Sequence, residues 1–211
     1  MTMLRWKRVE VSSGALLLWT TLYYFDDQGL LPLCLLACMF HELGHYLAIL
    51  ALGGQVTLLR ITCVGAEMRL SSRRKLGWLE QILAALAGPL VNLATGFAAV
   101  RLLGPAGWCF GGINFALAAF NLLPAGCLDG GRAVGFLLLP LLGREGADCI
   151  LRILAGALAA GLLLGALLLL RAGSWNLTLW LLALWLLTES VWGGKKDLQS
   201  RQRYGKILRT Q

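Results

Sequence analysis

His41 and His45 are the only two histidines of the chain, and they stand four residues apart in His41-Glu42-Leu43-Gly44-His45. On a helix that spacing stacks two imidazoles on one face, with Cβ atoms about 5–6 Å apart. Two rings so placed can ligate one metal ion. Glu42 lies one step round, where a carboxylate can take a proton from a water polarised by that ion. The chemistry on offer is metal-assisted hydrolysis. The run 30–52 is otherwise apolar. An ionisable group at mid-bilayer costs about 2.5–3.5 kcal/mol on insertion scales, and such groups serve function by default. The plainer alternative is polar glue between helices.

The pattern is that of zinc metalloproteases. A catalytic zinc takes three protein ligands and keeps one position open for water. With both histidines used, the third must be Asp, Glu or Cys. Glu67 follows His45 by 22 residues but sits among Arg60, Arg69 and Arg73, the setting of a solvated ion pair. Glu145 and Asp148 lie beside Arg144 and Arg152, and Glu189 closes the last apolar run. Asp129 is the stronger candidate. It lies in Asn121-Leu-Leu-Pro-Ala-Gly-Cys-Leu-Asp-Gly-Gly-Arg132, where Pro124 removes a helix donor and Gly126, Gly130 and Gly131 loosen the backbone. A preceding helix that ends near Leu122 covers only ~24 Å, so the segment stays at membrane depth. Irregular backbone is tolerated there only where it lines a protein cavity. The alternative for Asp129 is a helix N-cap. Cys34 and Cys38 share the stripe of His41 and His45, so Cys38 is an alternate ligand if it does not merely pack.

These residues need a scaffold, and composition says which kind. Of the 211 residues 58% are hydrophobic and 14% charged, which excludes a disordered chain and argues against a soluble domain. Six apolar runs cover about 11–25, 30–52, 76–103, 107–123, 149–170 and 175–192. The run 133–142 is too short to span and reads as interfacial or re-entrant. Residues 54–71, rich in β-branched side chains, are expected to form a short hairpin on the cytoplasmic side. The expected fold class is therefore an all-α polytopic membrane protein with about six transmembrane helices. It comprises one embedded domain over 1–194 and a basic cytoplasmic tail over 195–211.

The net charge of +8 does not signal nucleic acid, because the bases cluster at the ends and in short loops. Alternating six spans puts 17 of the 19 Lys and Arg on one side and leaves Arg101 and Arg171 on the other. Positive-inside orientation then places both termini in the cytoplasm and the histidines in the cytoplasmic half of a multi-pass cell-membrane protein. The basic start before the run 14–25 lacks a cleavage site and reads as a retained span. The six cysteines form no CxxC pair and read as small buried hydrophobes.

The chain resembles the site-2 protease family of intramembrane zinc metalloproteases. His41–His45 matches that family's zinc motif, Asp129 in Leu128-Asp129-Gly130-Gly131 its third-ligand motif, and Ala87-Gly88-Pro89-Leu90-Val91-Asn92 its Gly-Pro-x-x-Asn element. The match covers about 30–133, the family's three-helix core. The compact plan is most similar to the sporulation-type branch, which processes a pro-sigma factor, although no regulatory domain follows Trp192. The resemblance implies peptide-bond hydrolysis in or near a transmembrane segment of a membrane-tethered substrate, such as a pro-sigma or anti-sigma factor. It implies one Zn2+ per chain on His41, His45 and Asp129, with Glu42 as general base and acid. Asn92 and Asn121 become candidates for binding the substrate strand or the oxyanion, or for interhelical hydrogen bonds. Gly44 and Gly88 would permit close helix approach. The competing reading is a non-catalytic zinc-binding scaffold or transporter, against which Glu42 counts, because zinc storage needs no general base. A lipid-directed zinc hydrolase is a weaker third reading.

Overall fold

A computed structural model describes residues 3–6, 9–62, 65–70, 76–126, 128–188 and 190–191. It divides into two units, Met1–Asn121 and Leu122–Gln211.

The first unit begins with an unexpected sheet. Strands β1 (Met3–Trp6), β2 (Val9–Ser12), β3 (Val56–Thr62) and β4 (Gly65–Leu70) lie in the order β1-β2-β3-β4. β1 and β2 are antiparallel, β2 and β3 parallel, and β3 and β4 antiparallel. Residues 54–71 thus hold β3 and β4; the connection at 63–64 lies outside the described residues. The parallel pairing sets Glu10 opposite Arg60. Arg60 donates from Nε and Nη2 to Glu10 Oε2 at 3.1 and 3.0 Å. A half-buried ion pair of this kind holds the register, because a slip of one residue would turn Glu10 to the other face.

The sheet adds two N-terminal strands to the expected helical plan and corrects the start of the first apolar run. Residues expected to open a membrane helix at Val11 lie in β2, where Val9, Glu10 and Val11 alternate apolar and polar with the period of a strand. Helix α1 (Ser13–Tyr24) follows at once, capped by Ser12 Oγ, which accepts from the Ala15 amide at 3.2 Å. Its twelve residues reach ~18 Å, short of the ~30 Å hydrocarbon layer.

Helix α2 (Leu30–Ala51) is capped by Asp26, whose carboxylate accepts from the amides of Leu30 (2.9 Å) and Leu31 (2.7 Å). Helix α3 (Trp78–Leu103) starts at Gly77, whose amide donates to Glu80 Oε2 at 2.8 Å. After the turn Gly104–Gly107, helix α4 (Trp108–Asn121) runs back along α3. Glycine makes that return possible. A Cβ on Gly107 would meet the Ala99 carbonyl, one on Gly111 the Val100 side chain, and one on Gly96 the Phe115 ring. On the other flank a Cβ on Gly44 would lie 2.8 Å from the Ala87 carbonyl, so α2 and α3 also touch backbone to backbone. The end of α2, the start of α3 and the strands meet in a small apolar cluster: Ile49, Leu76 and Ala84, with Leu52, Val56 and Met68 against it.

The outer face of α3 carries Leu83, Leu90 and Phe97 at seven-residue spacing, all exposed, while Ala85, Gly88, Asn92 and Gly96 are buried behind them. A helix that is apolar on its outer face belongs in lipid.

In the second unit, helix α5 (Asp129–Arg171) is interrupted at Gly143, where φ is 66° and ψ 179°. A Cβ on Gly135, eight residues before that point, would lie 3.2 Å from Leu151 Cδ1, eight residues after it. The chain therefore doubles back, and α5 is two arms, 129–142 and 144–171. The short run at 133–142 is part of the first arm. A last apolar helix, α6 (Leu177–Thr188), falls within the run 175–192. Among the described residues three stretches, Leu30–Ala51, Trp78–Asn121 and Asp129–Arg171, are long and apolar enough to cross a membrane, which marks the chain as a membrane protein.

Candidate metal centre

The buried stripe of α2 is Ala37, His41, Gly44, His45 and Ile49, as a helix facing a neighbour requires. It faces α3. His41 Nδ1 lies 2.7 Å from Asn92 Oδ1, and His45 Nδ1 lies 2.8 Å from the carbonyl oxygen of Ala84. Both rings are buried, at 6% and 8% exposure. Their Nε2 atoms face each other at 3.0 Å, with the ring planes 83° apart.

These contacts decide the tautomers. A carbonyl oxygen only accepts, so His45 carries its proton on Nδ1. Asn92 Nδ2 donates to the Ala37 carbonyl at 3.1 Å, which fixes the amide with its oxygen toward His41. His41 therefore also carries its proton on Nδ1. Two Nε2 lone pairs then converge on one point inside a buried site. Such an arrangement repels itself unless a cation or proton stands between them. Two zinc–nitrogen bonds of ~2.05 Å at the tetrahedral angle place their nitrogens ~3.3 Å apart. The observed 3.0 Å fits that need within a few tenths of an ångström. The histidines' second nitrogens are held in the manner usual for metal-bound imidazoles.

Each part of Ala87-Gly88-Pro89-Leu90-Val91-Asn92 has a place here. The Ala87 carbonyl packs on Gly44, Gly88 leaves room for the His45 ring, and Asn92 holds His41. Asn92 is fully buried and also donates to Asn114 Oδ1 at 2.8 Å, so both of its amide hydrogens are committed within the helix bundle. The structure places it as an interhelical tie and a support for His41. Asn121 donates to the Leu117 carbonyl of its own helix at 3.0 Å and is half-buried. Glu42 is half-buried on α2 between the two histidines.

In the second unit, Asp129 is the first residue of α5, 7% exposed, with Leu128 as the extended N-cap. The N-cap alternative therefore falls to Leu128. Arg132 Nη1 stands 3.5 Å from Asp129 Oδ1, a long contact from a half-exposed guanidinium. The glycines after Asp129 are not there to loosen the chain. A Cβ on Gly130 would collide with the Leu122 carbonyl and one on Gly131 with the Ala125 carbonyl, so both let the loop 122–126 lie against the start of α5.

Cys38 is exposed on α2. Glu145 is exposed and Asp148 half-buried on the second arm of α5. Glu67 lies in β4 opposite Arg60; its side chain, together with Glu189, Cys127 and the tail 195–211, lies outside the described residues. Sequence reasoning missed Asn114, whose signal was an amide in the middle of an apolar run. It also missed the Ala84 carbonyl, for which a sequence has no signal.

No protein-family model matches the chain. Over 121 residues the chain is 31% identical to a Synechocystis protein named as a zinc metalloprotease, a match that covers 50% of this chain. The chain spans 30% of that relative's length. Its fold is similar to that of a solved site-2 protease from Methanocaldococcus jannaschii, with a TM-score of 0.64 over 90% of this chain and 93% of that one, at 21% identity. The likeness to the solved structure is one of fold, and the curated relative carries the name of a zinc metalloprotease.

Proposed function

We propose that this chain is a membrane-embedded zinc metalloprotease of the site-2 type, which hydrolyses a peptide bond in or near a transmembrane segment of a membrane-tethered protein. The observation that carries the reading is the pair of Nε2 atoms at 3.0 Å, each ring held through Nδ1 by an acceptor. The reading takes the buried Asp129 as the third ligand beside the buried His41 and His45. Two neutral imidazoles and one carboxylate suit zinc and leave a position open.

Zinc, when bound, supplies a Lewis acid and a water acidic enough to react near neutral pH. The chain supplies the rest. Glu42 receives the proton at its carboxylate and returns it to the leaving amine nitrogen. Asn92 and the Ala84 carbonyl keep both histidines in the ligating tautomer. A substrate helix must unwind locally, because a helical peptide hides its carbonyls in its own hydrogen bonds. The distribution of Lys and Arg supports cytoplasmic termini and a reaction in the cytoplasmic half. A pro-sigma or anti-sigma factor has the chemistry of such a substrate.

Elemental analysis of the detergent-purified protein tests the reading. The expected result is about one zinc per wild-type chain. Wild-type protein with no tightly held metal would move the weight to a non-catalytic scaffold.

A further inference from the structure

The polar chain behind His41 does not end at Asn92. Asn114 of α4 is fully buried, and its Nδ2 donates to the Phe110 carbonyl one turn earlier at 2.8 Å. With its nitrogen committed there, the Asn114 side chain turns its oxygen to Asn92, whose Nδ2 donates to it at 2.8 Å. The second Nδ2 hydrogen of Asn92 reaches the Ala37 carbonyl at 3.1 Å, one turn before His41 on α2. Oδ1 of Asn92 is left for His41 Nδ1 at 2.7 Å. The direction of each bond is thus set by the one before it: Phe110 carbonyl, Asn114, Asn92, His41. A flipped Asn92 would push its oxygen against two acceptors, Asn114 Oδ1 and the Ala37 carbonyl, and offer His41 a donor.

We infer that Asn114 is a positioning residue of the metal centre, which acts through Asn92 to hold His41 with its proton on Nδ1 and its Nε2 lone pair toward the metal. The inference rests on the metal-centre reading above. Asn114 touches neither histidine in this chain of bonds, and a packing role alone would need no amide. A buried amide among apolar helices is costly unless every polar atom is satisfied. Here each of its polar atoms is used in one direction.

The test is zinc affinity of the full chain in detergent, read by competition with a chromophoric chelator. Asn114→Leu removes the acceptor and should weaken zinc about 10-fold, the lower end for lost support behind a metal ligand. Asn114→Asp, whose carboxyl can keep both contacts, should recover most of that loss. The double variant Asn92→Leu/Asn114→Leu should bind zinc no more weakly than Asn92→Leu alone, since the two act as one unit. Thermal unfolding of the metal-free proteins checks folding, and Asn114→Ala replaces the Leu variant if that one fails to fold. Losses that multiply in the double variant, or an Asp variant as weak as the Leu variant, would make Asn114 a packing residue. Equal affinity in wild type and Asn114→Leu overturns the inference alone. No zinc in the wild type overturns the metal-centre reading and the inference with it.

Discussion

The His45 ring lies against the backbone of Gly88, in the space a Cβ would fill. This contact puts a helix-packing glycine inside the candidate metal centre, and it couples the α2–α3 separation to the position of a ligand. Gly88→Ala must therefore move either the helix or the ring. Overpacking of this kind costs about 1–3 kcal/mol. The expected outcome is a lower unfolding temperature in detergent, with zinc affinity reduced about 10–100-fold, as when a ligand loses its support. Chelator competition on the purified variant checks it, and unchanged affinity would mean that the ring can move at no cost.

Asp129→Ala should lose the zinc, while Glu67→Ala should keep it. Asp129 is a buried carboxylate and the third ligand in the proposed reading. Elemental analysis of the two variants beside the wild type decides the assignment; the reverse pattern would transfer the third ligand to Glu67.

Glu42→Gln should retain about one zinc per chain and lose cleavage. A positioned general base contributes roughly 10²–10⁴-fold to such a reaction. Metal content together with cleavage of a membrane-tethered reporter helix reads both properties on one sample. Full cleavage by this variant would remove Glu42 from the mechanism.

Gly131→Ala and Gly126→Ala should part company, although both glycines lie in the same loop region. A Cβ at Gly131 meets the Ala125 carbonyl, whereas at Gly126 nothing lies within 4 Å. The first variant should lose about 1–3 kcal/mol of stability and the second no more than ~0.5. Thermal unfolding in detergent compares them, and equal losses would mean that the loop does not pack as described.

Much of the site was legible in residue types. His41, Glu42 and His45 announced themselves because three ionisable side chains within five residues of an apolar run are costly without a purpose. The end of α4 at Asn121 could be read from Pro124, but the helix start at Asp129 could not, because the glycines after it read as loose backbone and instead pack on the preceding loop. The N-terminal sheet was not legible. Ten residues with two short alternating strands sit in front of a strongly apolar run, and the parallel partner that stabilises β2 lies some fifty residues away in β3. Local pattern carries no information about that partner. The fold-back of α5 was hidden for a similar reason, since a left-handed glycine at 143 looks in sequence like any other glycine of an apolar helix.

By itself, the sequence determined which side chains are candidates to hold a metal and that they stand in an apolar, membrane-type run. The spacing of His41 and His45 and the hydropathy around them follow from helix period and transfer free energy, which are local and additive. Only the tertiary structure decided which nitrogen of each ring carries the proton and what each supporting residue does. Asn92 became a support for His41, Gly88 a seat for His45, and the Ala84 carbonyl a partner with no side chain at all. Those roles depend on distances of about 3 Å between residues some forty to fifty positions apart, and only packed helices set such distances.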